Sequence, residues 1–474
     1  MNISEFKTQA HLLVDWMADY LENVGDNPVK PQIKPGEIKN QLPSVPPEHG
    51  ESFTAIFEDF KSIIMPGITH WQHPQFFAYF PSGGSEPSIL AEMLSATLAT
   101  QCMIWMTSPA AEELEEQMMQ WLQQAIGLPS NFTGVIQDSS SSATLVSLIC
   151  ARESKSNFGI NKSGMSQSPV YRIYSSSHAH SSVEKGVKIA GFGSDNLVTI
   201  PTDKSFAMDA SLLEKAIKKD IANNYVPLSV ISTIGTTSST AVDPIESIGK
   251  LALKYGCWHH IDASYSGTAL ILPEMRWMSK GVELCDSFVF NPHKWMFTNF
   301  DCSAYFVKDK TKLINTFSIL PEYLKTPEDK LVNNYRDWGI PLGRRFRALK
   351  LWFVLRTYGI KGLQEKIRDH IKFAQWFKEK VETTPGFELM SPVSVNLICF
   401  RIHPLGVNDE TELEVINSRL LQKLNGSGKI LLTQTRLNEH YVLRFVSGQI
   451  HSKLENIITG WQLILSASQE FLSR

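Results

Sequence analysis

The segment FNPHKW, residues 290–295, places a lysine inside an apolar stretch. Apolar residues precede Lys294 at 288–290 and follow it at 295–297. Lysine is rarely buried without a partner, so the ordinary interpretation is a surface lysine whose stem packs over apolar neighbours. The alternative is a lysine kept from water so that its amine is neutral and nucleophilic near pH 7. This segment alone favours the ordinary interpretation, and the rest of the chain must decide.

A run of hydroxyl side chains follows the first strand-like segment, in GVIQDSSSSATLVSLICARE. The pattern predicts a strand that ends near Gln137 and a helix that begins near Ala143, with Asp138 and four serines between them. Free amides and hydroxyls at a helix N-terminus suit a phosphate group. A flexible serine linker fits less well, because strand and helix leave it no slack. A glycine-rich Walker loop is absent from the sequence, which disfavours a nucleotide triphosphate.

Two histidines lie two residues apart in SSSHAHSSVEKG, after a strand predicted at 171–174. His178 and His180 would share one face of an extended chain. We expect no metal here, because a metal site needs three or four placed ligands and the sequence has no HExxH. The better interpretation is a flat imidazole packed against a flat cofactor. His178 is also compatible with a purely structural role.

Asp262 ends another strand-like run, WHHID, and is followed by small residues. It could simply cap the next helix. Lys294 follows the next strand along the chain, and ligands of parallel sheets bind beyond the carboxyl ends of the strands. Pyridoxal phosphate needs a Schiff-base lysine, an acid at its ring nitrogen and a seat for its phosphate. Lys294, Asp262 and the serine run supply all three, which favours the nucleophilic lysine.

Composition excludes several classes of function. The 474 residues carry a net charge of −3, with 45 Lys and Arg against 48 Asp and Glu, so no strong field attracts nucleic acid or an anionic membrane. The first residues lack the basic start and apolar run of a signal peptide, and no window has the length of a membrane span. The six cysteines form no CxxC pair and indicate reduced thiols in a cytoplasmic protein.

The residue pattern changes twice along the chain, which predicts three domains. Residues 1–85 contain two helical patterns joined by a proline-rich connector, which is typical of an arm that needs a partner surface. Residues 86–361 alternate short apolar runs with helical segments, which predicts an α/β domain with a mostly parallel sheet flanked by helices. Residues 362–474 combine a long helix with the strand-like runs VNLICFRIH and YVLRFVSG, which predicts a small α+β domain.

Several longer motifs resemble one known family. They are HPQFFAYFPS, SPAAEELE, HAHSSVEKG, IDASYSG, FNPHKWMFTNFDCSAYFVK, YRDWGIPLGRRFRALKLWFVLRTYGIKGLQ and YVLRFVSG. The chain resembles the group II pyridoxal-phosphate-dependent amino acid decarboxylases, and within them the aromatic-L-amino-acid decarboxylases, over nearly its whole length. The resemblance implies the aminotransferase-like fold (fold type I) with a seven-stranded type of sheet. It also implies a homodimer with shared active sites.

The resemblance also implies roles for individual residues. Lys294 matches the Schiff-base lysine, Asp262 the partner of the ring nitrogen, and His180 the imidazole stacked on the ring. Tyr335 matches a tyrosine on a mobile lid, expected between 326 and 343. Further cofactor contacts are implied for Thr237, Ser264 and, on the phosphate side, Ser140, Ser141, Asn291 and His293. Substrate contacts are implied for Trp71, Tyr79, Phe80 and Ser82, and for Met103 toward the partner's pocket.

Some positions depart from the family pattern. Ser264 stands where the family has alanine, and Asp138, Ser140 and Ser142 differ from it around the phosphate turn. Gln101, Met103 and Ile104 change the rim that would face the partner. Because methionine is adaptable, these changes leave the substrate open.

We therefore expect decarboxylation of an L-amino acid, with aromatic substrates (Trp, Tyr, Phe or DOPA) favoured. The alternatives are an aldehyde-forming oxidative enzyme, which in this family goes with phenylalanine at the position of Tyr335, and a decarboxylase of a non-aromatic amino acid such as histidine. An aminotransferase on the same fold is a further alternative, which a keto acid product would distinguish from an amine. A non-catalytic dimer fits less well, because Lys294, Asp262 and Tyr335 are all present.

Overall fold

The computed structural model describes residues 1–319, 327–328 and 331–473. The chain forms two compact units. One contains Met1–Pro81, Gln375–Met390 and Ile398–Arg474, and the other contains Ser82–Ala374 and Ser391–Leu397. The domain boundaries near residues 85 and 361 stay a prediction.

The regular elements alternate along the middle of the chain. The helices are α1 (Ile3–Asn23), α2 (Phe53–Asp59), α3 (Glu86–Leu98), α4 (Pro109–Ile126), α5 (Ser140–Lys155), α6 (Ile160–Ser163), α7 (Ser182–Ile189), α8 (Ala210–Ala222), α9 (Ile245–Tyr255), α10 (Pro292–Trp295), α11 (Lys310–Phe317), α12 (Arg347–Thr383), α13 (Glu410–Gly426) and α14 (Leu454–Leu472). The strands are β1 (Thr133–Gln137), β2 (Tyr171–Ser176), β3 (Leu197–Ile200), β4 (Val226–Thr233), β5 (Trp258–Asp262), β6 (Ser287–Phe290), β7 (Ser303–Val307), β8 (Phe387–Leu389), β9 (Leu397–Ile402), β10 (Thr433–Leu437) and β11 (His440–Val446).

The larger unit contains a seven-stranded sheet in the order β1-β7-β6-β5-β4-β2-β3. Strands β2 to β6 run parallel to one another, and β7 runs antiparallel to both β6 and β1. This confirms the predicted α/β fold with a mostly parallel sheet. The connection between the antiparallel strands β6 and β7 lies at one end of the sheet and carries Lys294.

Both faces of this sheet are covered by apolar side chains, which explains why its central strands read as continuous apolar runs. Val230 and Ile231 are neighbours on β4, yet they belong to different core clusters because successive side chains point to opposite faces. Helices α5 and α7 contribute residues to the cluster around Ile231, and α8 and α9 to the cluster around Val230.

The sheet topology brings six chain segments to one end of the sheet. The carboxyl ends of β1, β2, β4, β5 and β6 lie at that end, together with the amino end of the antiparallel β7. Each site residue predicted after these strands therefore emerges at the same side of the sheet, as expected for an open α/β fold.

The smaller unit is built on a four-stranded sheet in the order β10-β11-β9-β8, in which β10 pairs with β11 and β8 with β9 in antiparallel fashion. Phe77, from the N-terminal segment, stacks on Phe445 of β11 with ring centroids 4.0 Å apart. The predicted C-terminal α+β arrangement is confirmed. Among the described residues, no helix has both the length and the apolarity needed to cross a membrane.

Candidate active site

Lys294 lies on the single turn α10, which directly follows β6. Its neighbours His293 and Trp295 are buried, whereas Lys294 itself is partly exposed. Trp295 is fixed by stacking on Tyr265, with centroids 4.9 Å apart, and by donating its indole N–H to His370 Nδ1 at 2.9 Å. The apolar surroundings noted in the sequence therefore come from neighbours that anchor the turn and hold the lysine in place.

The electrostatic neighbours of Lys294 include Asp262, at the end of β5, and His180, after β2. Desolvation by the surrounding protein lowers the pKa of the partly exposed Lys294 amine, and the Asp262 carboxylate opposes part of that shift. His180 is exposed, yet desolvation by the surrounding protein lowers the pKa of its imidazole; Asp262 opposes this shift and Lys294 adds to it. The structure thus brings an amine, a carboxylate and an imidazole together from three strand ends.

Asn291, three residues before Lys294, joins three further segments. Its Oδ1 accepts hydrogen bonds from Ser140 Oγ at 2.7 Å and from Ser303 Oγ at 2.6 Å. Its backbone N–H donates to the Ser264 carbonyl at 3.0 Å, and its own carbonyl accepts the Lys294 N–H at 2.9 Å. These bonds tie the first turn of α5 to the lysine turn.

The first turn of α5 provides backbone donors beside this cluster. Ser139 caps the helix through a hydrogen bond from the Ser142 N–H to its Oγ at 3.2 Å. The first amides of a helix have no intrahelical partner and carry the positive end of the helix dipole. Ser141 and Asp138 are exposed there, and Ser140 is buried. This arrangement suits an anion bound at the turn.

Thr237 lies at the tip of a tight turn after β4. The turn is closed by hydrogen bonds from the Gly235 and Thr236 N–H groups to the Ala241 carbonyl, at 2.9 and 3.0 Å. Gly235 has φ +86°, and a Cβ there would stand 1.9 Å from Ser266 Oγ. Glycine is therefore required, because it brings the turn against the segment that follows Asp262.

The remaining histidines make mainly structural contacts. His293 is buried, accepts the Cys302 N–H at its Nδ1 at 2.9 Å and has a pKa lowered to about 3, first by burial and then by Lys294. It is therefore neutral at physiological pH and fastens the lysine turn to the start of β7. Its phosphate-side role stays a prediction. His178 packs against Phe206, with centroids 5.4 Å apart.

Tyr335 lies on a one-turn 3-10 helix, Tyr335–Asp337, and is 2% exposed. Its ring packs edge-on against Trp338, with centroids 5.1 Å apart, and beneath the Arg344 guanidinium at 4.9 Å. Its N–H donates to Glu112 Oε2 at 3.4 Å. Part of the predicted lid, at 326 and 329–330, falls outside the described residues.

Sequence reasoning assigned no role to the charged groups around Tyr335. Arg344 donates to Glu115 Oε1 at 2.6 Å, and the same oxygen accepts the Ile136 N–H of β1 at 2.8 Å. Glu112 lies one turn earlier on α4, and burial, followed by repulsion from Glu115, raises its pKa to about 8. The GRRFR motif and the acidic helix SPAAEELE are visible in the sequence, but their pairing is not.

The predicted substrate residues fall into separate groups. Trp71, Tyr79 and Phe80 belong to the smaller unit; there Trp71 stacks on Tyr79 with centroids 5.6 Å apart, and Phe80 lies beneath Arg444 at 5.2 Å. Ser82 and Met103 belong to the larger unit, where the Met103 carbonyl accepts the Arg336 N–H at 3.0 Å. Their contacts with substrate stay a prediction.

Pyridoxal phosphate can be tested against this donor set. An amine with lowered pKa, a carboxylate next to it and a helix N-terminus with hydroxyls are the three groups that such a cofactor requires. The described residues contain no group of three or more His, Cys, Asp or Glu side chains placed to hold a metal ion. The residues present fit this cofactor.

The fold and the site together define a pyridoxal-phosphate enzyme of the aminotransferase-like type. Residues 35–403 match the model of the pyridoxal-dependent decarboxylase conserved domain, and the chain belongs to this family. It is a pyridoxal-phosphate-dependent amino acid decarboxylase, a carboxy-lyase.

Relatives extend over the whole chain. The chain is 41% identical to tyrosine decarboxylase 3 of Petroselinum crispum, over 97% of this chain and 91% of the relative. It is 40% identical to phenylacetaldehyde synthase of Arabidopsis thaliana, over 100% and 98%. The crystal structure of Oryza sativa TDC with PLP and tryptamine superposes with a TM-score of 0.96 at 34% identity, covering 100% of this chain and 99% of that one.

Proposed function

We propose that this protein decarboxylates an aromatic L-amino acid to the corresponding amine and CO2. The grouping of Lys294, Asp262 and His180 at three strand ends of one sheet carries the cofactor chemistry, and the match to the pyridoxal-dependent decarboxylase domain supports decarboxylation. An aromatic substrate is supported by similar proteins that are named for tyrosine decarboxylation. Trp71, Tyr79, Phe80 and Ser82 are proposed as its contacts.

Each residue near Lys294 has a distinct proposed task. Lys294 holds the cofactor through its amine, which its lowered pKa makes easier to deprotonate. Asp262 holds a proton at the ring nitrogen, and the neutral imidazole of His180 packs on the ring. Thr237 contacts the ring from the turn after β4. Pyridoxal phosphate, when bound, supplies the sink for the electron pair left behind as CO2 departs.

The phosphate is proposed to lie at the first turn of α5. Ser140 and Ser141 would donate hydroxyls, and Asn291 would keep Ser140 oriented through the 2.7 Å bond. His293 would contribute by holding the lysine turn. Helix dipole and hydroxyls both favour a dianion at this position.

Tyr335 is proposed as the acid that returns a proton to the substrate's α-carbon. Its phenol pKa is raised well above the ordinary value, first by burial and then by Glu115, so the group stays protonated. Exclusion of water by the surrounding segment would protect the carbanion until that proton arrives. Tyrosine at this position favours the amine over the aldehyde product.

The protein is proposed to act as a homodimer with shared active sites. Leu90, Leu94 and Leu98 recur every four residues on α3 and are 53%, 47% and 61% exposed, an apolar stripe that suits a partner subunit. Met103 is proposed to reach the partner's substrate pocket. All six cysteines are buried and lie outside any disulfide, which supports a reducing, cytoplasmic location.

The aldehyde-forming alternative remains the main competitor, since one similar protein is a phenylacetaldehyde synthase. Product analysis separates the two. The purified protein, supplied with cofactor, is incubated with Trp, Tyr, Phe, DOPA or His, and amine, aldehyde and CO2 are quantified. We expect CO2 and amine in equal amounts from at least one aromatic amino acid, and neither from Lys294→Ala. Aldehyde as the main product, or turnover of histidine alone, would contradict the proposal.

A further inference from the structure

Ser264 makes two hydrogen bonds to a single oxygen of Asp262. Its backbone N–H donates to Asp262 Oδ1 at 3.0 Å, and its hydroxyl donates to the same oxygen at short range. Its carbonyl accepts the Asn291 N–H at 3.0 Å. Ser264 therefore binds the carboxylate at the end of β5 and also contacts the segment that leads to Lys294.

The backbone bond is an ordinary feature of a turn after aspartate, but the hydroxyl bond depends on the side chain. A hydrogen bond to a carboxylate stabilises its charged form and weakens it as an acceptor for other protons. Bonds to charged groups are also roughly twice as strong as neutral ones. The charged and titratable groups that face Asp262 are His180, His260 and Lys294. A substitution of Ser264 leaves all three of these residues in the sequence.

We infer that Ser264 is a positioning residue that acts through Asp262 and moderates the hold of this carboxylate on the cofactor's ring nitrogen. The inference rests on the proposed role of Asp262. The Ser264 hydroxyl weakens the proton-holding interaction at the ring nitrogen while keeping the carboxylate in one orientation.

The test compares two cofactors that differ in one atom. Pyridoxal phosphate and its 1-deaza analogue, in which a C–H group replaces the ring nitrogen, are titrated into the apo-protein at one pH. The ratio of the two dissociation constants, analogue over cofactor, measures the interaction at the ring nitrogen. A change that merely loosens the site weakens both ligands and leaves the ratio unchanged.

In Ser264→Ala the ratio should rise about three- to tenfold, because Asp262 loses a competing charged hydrogen bond. Ser264→Thr keeps a hydroxyl and should keep the wild-type ratio. The matched control is Ser266→Ala, which removes a buried hydroxyl two residues away that has no hydrogen-bond partner within the described parts of the chain. It should also keep the wild-type ratio.

The outcomes separate the two levels of the hypothesis. An unchanged or lower ratio in Ser264→Ala, or an equal rise in Ser266→Ala, overturns the inference about Ser264. A wild-type ratio near one that Asp262→Asn does not change overturns the proposed role of Asp262 itself. Should Ser264→Ala fail to fold, Ser264→Cys takes its place with the same expected direction, since a thiol is a weaker donor.

Discussion

Tyr335 is informative because the chemical role of its hydroxyl can be tested apart from the packing role of its ring. Its phenol oxygen is buried and has no hydrogen-bond partner within the described residues. The ring, by contrast, packs closely against Trp338 and Arg344. Removing the hydroxyl alone should therefore leave packing intact and cost no stabilising hydrogen bond.

We predict that Tyr335→Phe binds cofactor and substrate normally and unfolds at no lower temperature than wild type. Amine formation should fall by roughly 10²–10⁴-fold, the range typical of losing a positioned acid. Some carbanion should instead react with O2, so that aldehyde, ammonia and hydrogen peroxide form along with CO2. Product analysis and a peroxide assay measure this. Wild-type amine formation without aldehyde would mean that another group, such as His180, supplies the proton.

The turn after β4 shows how an element depends on one glycine. Gly235→Ala would place a Cβ 1.9 Å from Ser266 Oγ, at φ +86°. The backbone strain alone costs about 1–3 kcal/mol, and the clash adds to it. Gly164→Ala is the matched control, because φ is +73° there and no atom lies within 4 Å of the added Cβ. We predict that Gly235→Ala lowers the melting temperature well beyond Gly164→Ala and weakens cofactor binding; equal effects would contradict this.

Helix α4 carries a buried carboxyl whose titration can be followed by stability. The pKa of Glu112 is raised from 4.5 to about 8, so the folded protein keeps a proton that the unfolded chain loses above pH 4.5. The free energy of unfolding therefore decreases between about pH 4.5 and 8 through this group. Glu112→Gln cannot titrate, so its stability relative to wild type should rise with pH in that window.

The slope of that difference should be at most about 1.4 kcal/mol per pH unit. Chemical denaturation of holoenzyme at pH 5.5, 6.5, 7.5 and 8.5 measures it. Glu113→Gln changes an exposed carboxylate of the same helix and should give no such trend. A constant difference between Glu112→Gln and wild type across this range would show that Glu112 is ionised throughout.

Most strands of the larger sheet are predictable from the sequence, because strands covered on both faces read as short apolar runs. Strand β3 does not show this pattern, because it has only four residues at the edge of the sheet and three of them are not buried. The antiparallel direction of β7 is not predictable either, since it depends on how the lysine turn folds back through His293 and Cys302.

The candidate site is also only partly predictable from the sequence. Asp262, Lys294 and the serine run are predictable because each lies at or just after the end of a strand, and the carboxyl ends of parallel strands lie at the same end of the sheet. The bonds from Ser264 to Asp262 and the pairing of Arg344 with Glu115 are not, because they depend on side-chain orientation or on residues that are far apart in sequence.

At the scale of the whole molecule, the exposed stripe on α3 predicts the assembly state. Sedimentation at micromolar concentration should show a species near twice 53.3 kDa. Leu94→Glu places a charge in the stripe and should shift the protein toward monomer with loss of activity, because apolar interfaces tolerate unpaired charge poorly. Leu405→Glu, at a fully exposed leucine in the other unit, is the control and should remain dimeric. An active wild-type monomer would refute the shared site.

The central claim, that Lys294 carries the cofactor, is tested most directly by reduction and peptide mapping. Borohydride converts the bond between a lysine and pyridoxal phosphate into a stable secondary amine. After digestion, we predict one modified peptide containing FNPHKW, and none from folded Lys294→Ala. Lys350 provides an internal comparison, because it is a buried lysine, paired with Glu92 at 3.3 Å, and it should stay unmodified. An adduct on Lys350 or any lysine other than Lys294 would contradict the account.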